Sequence, residues 1–302
     1  MWPKNLCLYR ISRSEFSLPA AEQFEVMLSD FKYSPCKSTD VSKMGWVVPA
    51  KGMDTLHHVV DSTSVVLRVC TEERKVPPAV LKEEREKAEE EFASREGRPP
   101  KKQEKAQIKE DVLMALLPRA FSVKKYTTIY IYNNEFIFID VAAFTGAESC
   151  LALLRKTIGS LPVVPVTFAR PIELALTEWV RSDEPPAGWE MDNFAILKSV
   201  LEGGGVVTLK DEELTTHPVM EYIEKDMFVT SLRVNYQDRL NFVVNDDARL
   251  KQIKFSDELR DTNEDIDRED ALARFDADIC LLFGEISLLY SDMCGVFGGL
   301  EE

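Results

Sequence analysis

Only three histidines, His57, His58 and His217, occur in the chain, and none stands at a zinc-ligand spacing from another. The six cysteines are scattered and form no C-x-x-C pair. Several sit inside apolar runs, as Cys7 does in Leu6-Cys7-Leu8, so the expectation is small buried hydrophobes and not a disulfide frame or metal site. There is no Gly-x-Ser-x-Gly elbow, no cysteine with an evident histidine partner, and no phosphate loop ending in Gly-Lys-Ser/Thr. No unbroken run of 18 apolar residues exists, which predicts no membrane-spanning helix. Met1-Trp2-Pro3-Lys4-Asn5 lacks the apolar core of a signal peptide, and the expected location is the cytosol.

What is present suits a globular fold. The 302 residues are 45% hydrophobic and 9% aromatic, ample for a sizeable core in one large domain or two ordinary ones. The net charge of −15 disfavours a generic polyanion binder, but its distribution is uneven. Between residues 95 and 125, nine lysines and arginines face four carboxylates; between 255 and 302, three arginines face fourteen. A chain so dipolar can turn one basic region toward a phosphate backbone while acidic surface points elsewhere.

Alternation over residues 3–11 predicts an opening strand, with Leu6 and Leu8 on one face and Cys7 and Tyr9 on the other. A helix follows Pro19, with Phe24 and Leu28 inward. Val47-Val48 and Val65 to Val69 read as further strands. From Lys82 to Glu91 nearly every residue is charged, and Gly97-Arg98-Pro99-Pro100 breaks the pattern before a second helix carrying Ile108, Val112, Ala115 and Leu116. This predicts a projecting helical hairpin, too short in its heptads for a coiled coil. Thr127 to Val141 alternates around Asn133-Asn134, a hairpin apolar on both faces and so central to a sheet. Gly146 to Ile158 is expected to be a helix ended by Gly159.

In the second half, helices are expected near 171–180, 192–201 and 217–226. A meander over roughly 227–235, 239–244 and 249–255 follows, then helices over 267–294. Helices and hairpins interleave without regular βαβ units, so the fold class is α+β, with mixed, largely antiparallel sheets. The expected domains are 1–77 with 118–170 as a central α+β unit, 78–117 as the hairpin tip, and 171–302 as a second α+β unit with acidic C-terminal helices.

Gly203-Gly204-Gly205 is expected to be a turn after the 192–201 helix. The acidic run from Asp257 to Asp270 offers oxygens at Asp261, Asn263, Asp265 and Asp267, but Ile266 and Leu272 occupy the positions where a calcium loop needs Gly and Glu. Interleaved Arg260, Arg268 and Arg274 point to ion pairs, with helix caps near Asp265 and Asp267. His57 and His58, adjacent on a regular element, are expected to point apart, one or both as ordinary surface histidines. No metal and no cofactor is expected. The remaining chemistry is basic. Lys101, Lys102, Lys105 and Lys109 share one helix side. Arg119, Lys124 and Lys125 lead into the central hairpin with Phe121 among them, a core plug, an aromatic anchor at an interface or a stacking platform for bases. Without a recognition helix, such a face would hold phosphates and not read bases.

Several blocks resemble the RdgC family of bacterial recombination-associated proteins. They are Met44-Gly45-Trp46, Leu116 to Ser122, Leu153-Leu154-Arg155-Lys156, Gly159 to Pro165 and Leu176 to Arg181. The longest runs through Lys254-Phe255, Asp257 to Arg260, Asn263 to Asp270 and Arg274 to Asp278. The resemblance implies a ring-shaped homodimer that encircles double-stranded DNA without sequence preference, associates with the nucleoid in the cytoplasm, antagonises the RecA recombinase and has no enzymatic activity. It implies DNA contacts at Arg119, Arg155, Lys156, Arg181 and Lys254, to which position adds Lys124 and Lys125; Phe121, as an aromatic anchor, is the expected dimer contact. The alternatives are an interaction module that inhibits the recombinase directly, or a divalent-metal nuclease using the 257–270 carboxylates.

Overall fold

The computed structural model describes residues 2–12, 16–201, 204–264, 266–267 and 270–301. The first half runs β1 (Cys7–Ile11), α1 (Ala21–Ser29), β2 (Ser42–Val47), β3 (His57–Val59), β4 (Val65–Lys75), α2 (Pro78–Glu96), α3 (Lys102–Leu116), β5 (Phe121–Tyr132), β6 (Phe136–Ile139), α4 (Phe144–Ile158) and β7 (Val163–Pro165). The second half runs α5 (Ile172–Ser182), β8 (Trp189–Ser199), β9 (Val206–Lys210), α6 (His217–Glu224), β10 (Met227–Tyr236), β11 (Leu240–Asn245), β12 (Leu250–Phe255), α7 (Asp257–Asp261) and α8 (Ala271–Val296).

The hairpin of β5 and β6 organises the first sheet. Asn133 and Asn134 both take positive φ, 52° and 54°, the geometry that lets a two-residue turn match the twist of its strands. The strands are ordered β2-β4-β5-β6-β1-β7, with β3 pairing β4 beyond the end of β2, and every pairing is antiparallel. Side chains alternate as the pattern requires. Ile129, Ile131, Ile137, Ile139, Cys7 and Tyr9 face a core closed by α1 and α4, while Leu6, Leu8, Tyr130 and Phe138 face the other way. Gly159 ends α4 at φ +84°, a conformation that favours glycine.

The opposite face is covered by α8, from the far end of the chain. Phe283 stacks on Tyr132 at 5.4 Å and meets Tyr130 edge-on at 6.1 Å, and Tyr290 lies 4.4 Å from Phe136. The same buried cluster continues through Trp179, Trp189 and Phe242 into the second sheet, ordered β12-β11-β10-β8-β9. One hydrophobic core therefore joins the two sheets. By length and composition alone α8 could cross a membrane, against the expectation of no such helix, because its apolar stretch is interrupted by single polar residues such as Glu285. Here Phe275, Ile279, Leu282, Phe283 and Ile286 are buried in protein, and Glu285 is held by Arg239 at 2.8 Å.

Two expectations are overturned. Residues 192–201 are not helical: β8 occupies Trp189–Ser199 between β9 and β10, and the Gly204 turn joins two strands. A short apolar run such as Phe194-Ala195-Ile196-Leu197 does not distinguish helix from strand until its neighbours are known. Gly203 lies outside the described residues. The cap of α8 is Asp270, whose carboxylate accepts the Ala273 amide at 3.0 Å, and Ser256 caps α7; neither position is Asp265 or Asp267. Asp265 and Arg268 lie outside the described residues.

Candidate nucleic-acid interface

Beyond Thr128 the partner β6 stops, and the outer half of β5 is paired with β4 alone, from Tyr126↔Cys70 to Phe121↔Lys75. Residues 121–126 are all exposed. Strand alternation puts Phe121, Val123 and Lys125 on one side of this ribbon and Ser122, Lys124 and Tyr126 on the other. Lys124 and Lys125 thus serve opposite faces. Phe121 is 77% exposed, so the core-plug alternative is excluded.

Lys124 sits in a built environment. Across the sheet, Lys43 pairs with Glu72 and Glu72 with Lys124, so one acidic residue stands in register between two basic ones. Glu72 accepts hydrogen bonds from the hydroxyls of Ser122 and Tyr33 and, at 2.8 Å, from the Cys36 amide. These donors hold its carboxyl down to about 2. Tyr33 in turn lies under Lys124, 5.2 Å from ring centre to ammonium. The Phe31–Tyr33 segment runs beside β2, bonded to both backbone groups of Trp46 (3.0 and 2.9 Å).

The same segment receives Lys156. At the last turn of α4, its ammonium stands 5.1 Å from the Phe31 ring, and Arg155 beside it is exposed. The structure therefore gathers Lys43, Lys124 and Lys156 around one edge of the first sheet, from β2, β5 and α4. Lys43 was missed in the sequence, since it lies far from Lys124 along the chain and only the strand pairing joins them.

The other nominated cations are dispersed. Arg119 ends the short turn after α3 and is exposed. Arg181, in the last turn of α5, is engaged by Glu178 at 3.0 Å. Lys254 points outward from β12 beside a separate cavity. In α2 and α3, Lys105 is tied to Glu89 at 3.3 Å, Arg98 to Glu104 at 2.7 Å and Lys87 to Glu83 and Glu84 at 2.8 Å. Much of the positive charge there is answered locally.

His57 and His58 do point apart, but they are not surface histidines. His57 is buried and bonded to Glu25 at 2.7 Å; His58 is half-buried against Asp276 at 2.9 Å. Cys7, Cys36, Cys70 and Cys150 are buried as expected, whereas Cys280 is exposed and Cys294 half-buried, because both lie on the outer side of α8. Burial pushes the Cys7 and Cys150 thiols up to about 11. Among the described residues, no group of three or more histidine, cysteine, aspartate or glutamate side chains is placed to hold a metal ion.

With this geometry in place, comparison with known proteins gives a consistent result. A family model described as "Putative exonuclease, RdgC" matches residues 1–300. Proteins named recombination-associated protein RdgC from Yersinia pestis (strain Pestoides F) and Yersinia pseudotuberculosis serotype O:3 (strain YPIII) are each 44% identical over 301 residues, 99% of this chain and 98% of theirs. The protein of that name from Yersinia enterocolitica serotype O:8 is equally similar over the same span.

Proposed function

The chain belongs to the RdgC family, and from that premise we propose that it is a non-catalytic protein that binds double-stranded DNA without sequence preference. It closes around the duplex as a homodimer and restrains RecA-dependent homologous recombination, working in the cytoplasm at the nucleoid. The observation that carries this is the outer half of β5, where exposed cations stand on both faces of a strand in a chain of net charge −15. Lysines over aromatic rings at the rim of the sheet suit contact with phosphates. The relatives' shared name supports the recombination setting.

Self-association is supported by Phe121 and Val123, large apolar side chains left exposed on one face of β5. In the proposed dimer Phe121 is an interface anchor. Exchanging Phe121 for Asp and measuring sedimentation tests this: the dimer should dissociate, and an unchanged sedimentation coefficient would remove Phe121 from the contact.

Binding is tested by fluorescence anisotropy of an unrelated set of duplexes across a salt series. With roughly six phosphate contacts per dimer, log affinity should fall against log salt with a slope of about −5. No binding at low salt would sink the proposal. The family model's description favours a nuclease as the second reading. Linear duplex degraded from its ends in magnesium or manganese would establish it; linear duplex left intact after long incubation keeps the non-catalytic account.

A further inference from the structure

The backbone that precedes β1 is pinned along β12. Leu6 and Leu250 exchange both amide bonds (2.8 and 3.0 Å), and Ile253 donates to the Lys4 carbonyl at 2.9 Å. Asp140 accepts the amides of Lys4 and Asn5, each at 3.1 Å. The chain thereby delivers Trp2 and Lys4 to the end of β12 and holds them there. Trp2 packs on Phe255 with ring centres 4.7 Å apart.

Between these elements lies a cavity of about 580 Å³, inside the size range of small-molecule sites. Trp2 and Phe255 supply its aromatic wall, and Lys4, Lys254 and Arg260 its charge. The one carboxylate on its lining, Asp257, is 3.7 Å from Arg260 and almost fully exposed. Three cations and two rings share this lining in a chain that is strongly acidic overall. An apolar ligand would leave those cations unanswered, and a free phosphate would leave the rings unused. A ligand with a flat π face and an attached anion meets both.

We propose that this cavity binds a nucleotide unit, its base against Trp2 and its phosphate among Lys4, Lys254 and Arg260. The unit is either a free mononucleotide or an unpaired nucleotide of a single strand, since a base inside a duplex is stacked and cannot enter. The site is separate from the duplex interface of β5, and only Lys254 is nominated for both.

Trp2 makes the proposal directly measurable. Trp46, Trp179 and Trp189 are each at most 4% exposed, so a stacking ligand can reach Trp2 alone. Titration with dAMP, followed by tryptophan fluorescence, should give saturable quenching that inorganic phosphate does not reproduce. Arg260→Gln should weaken dAMP about fivefold, in line with the loss of one charge-assisted contact at an exposed site. Trp2→Leu, followed by calorimetry and checked for an unchanged circular dichroism spectrum, should lose dAMP binding while the duplex salt series stays where it was. A hexamer of deoxyadenylate binding tighter than dAMP assigns the cavity to single strands; equal or weaker binding assigns it to free nucleotides. Quenching that never saturates, or an Arg260→Gln titration that overlays the parent, overturns the proposal whether or not duplexes bind.

Discussion

The ammonium of Lys124 stands 5.2 Å from the centre of the Tyr33 ring, and the hydroxyl of that same ring donates to Glu72. A cation, a ring and a carboxylate from three separated stretches thus form one unit at the edge of the first sheet. Lys124→Ala should lower duplex affinity uniformly across sequences and make the salt slope shallower by about one. Arg181→Ala should change it less, because Glu178 already neutralises that guanidinium. Anisotropy salt series on both variants decide this.

Glu72 also sets an acid limit on stability. Its folded carboxyl titrates near 2, below the ordinary value of 4.5, so the ionised form is favoured by folding. Its contribution is complete above about 4.5 and is lost as pH falls from there toward 2. Melting temperature should drop over that window. Glu72→Gln should melt lower than the parent at neutral pH and show a smaller drop on acidification, as read by thermal denaturation across pH.

Gly45 is fixed by close approach and not by torsion. A Cβ there would stand 2.5 Å from the Tyr33 Cα, which is backbone and cannot swing aside. Gly45→Ala should cost about 1–3 kcal/mol by overpacking. By pushing the Phe31–Tyr33 segment off β2, it should also weaken DNA binding more than its stability loss explains. Urea unfolding and anisotropy on the same preparation separate the two effects.

Phe283 joins the two halves through Tyr130 and Tyr132. Phe283→Ala should destabilise by about 3–5 kcal/mol, the usual cost of emptying a buried aromatic site. Because the core is continuous, both sheets should lose stability together in urea. Two separated transitions in the parent protein would contradict a shared core.

The sequence was most legible where local rules agree with tertiary demands. The Asn133-Asn134 turn, the two-faced hairpin, the burial of Phe24 and Leu28 and the meander of β10 to β12 all appear where pattern put them. Residues 192–201 failed because strand pairing with β9 and β10, invisible locally, overrode a helix-like run. Of the candidate site, Lys124 and Lys156 were legible as cations. Their aromatic partners Tyr33 and Phe31 were not, since a ring over a distant lysine leaves no spacing signal. His57 was misjudged for the same reason: Glu25, which satisfies it in the core, sits on another element.

Because α8 closes the inner face of the first sheet, folding order is constrained by the direction of synthesis. Tyr130 and Phe138 emerge from the ribosome about 150 residues before Phe283 and Tyr290, an interval on the order of ten to thirty seconds at ordinary elongation rates. Leu6 waits longer still for Leu250. During that time the sheet has one covered face and one bare one, so a nascent or C-terminally truncated chain exposes an apolar surface until the last helix arrives.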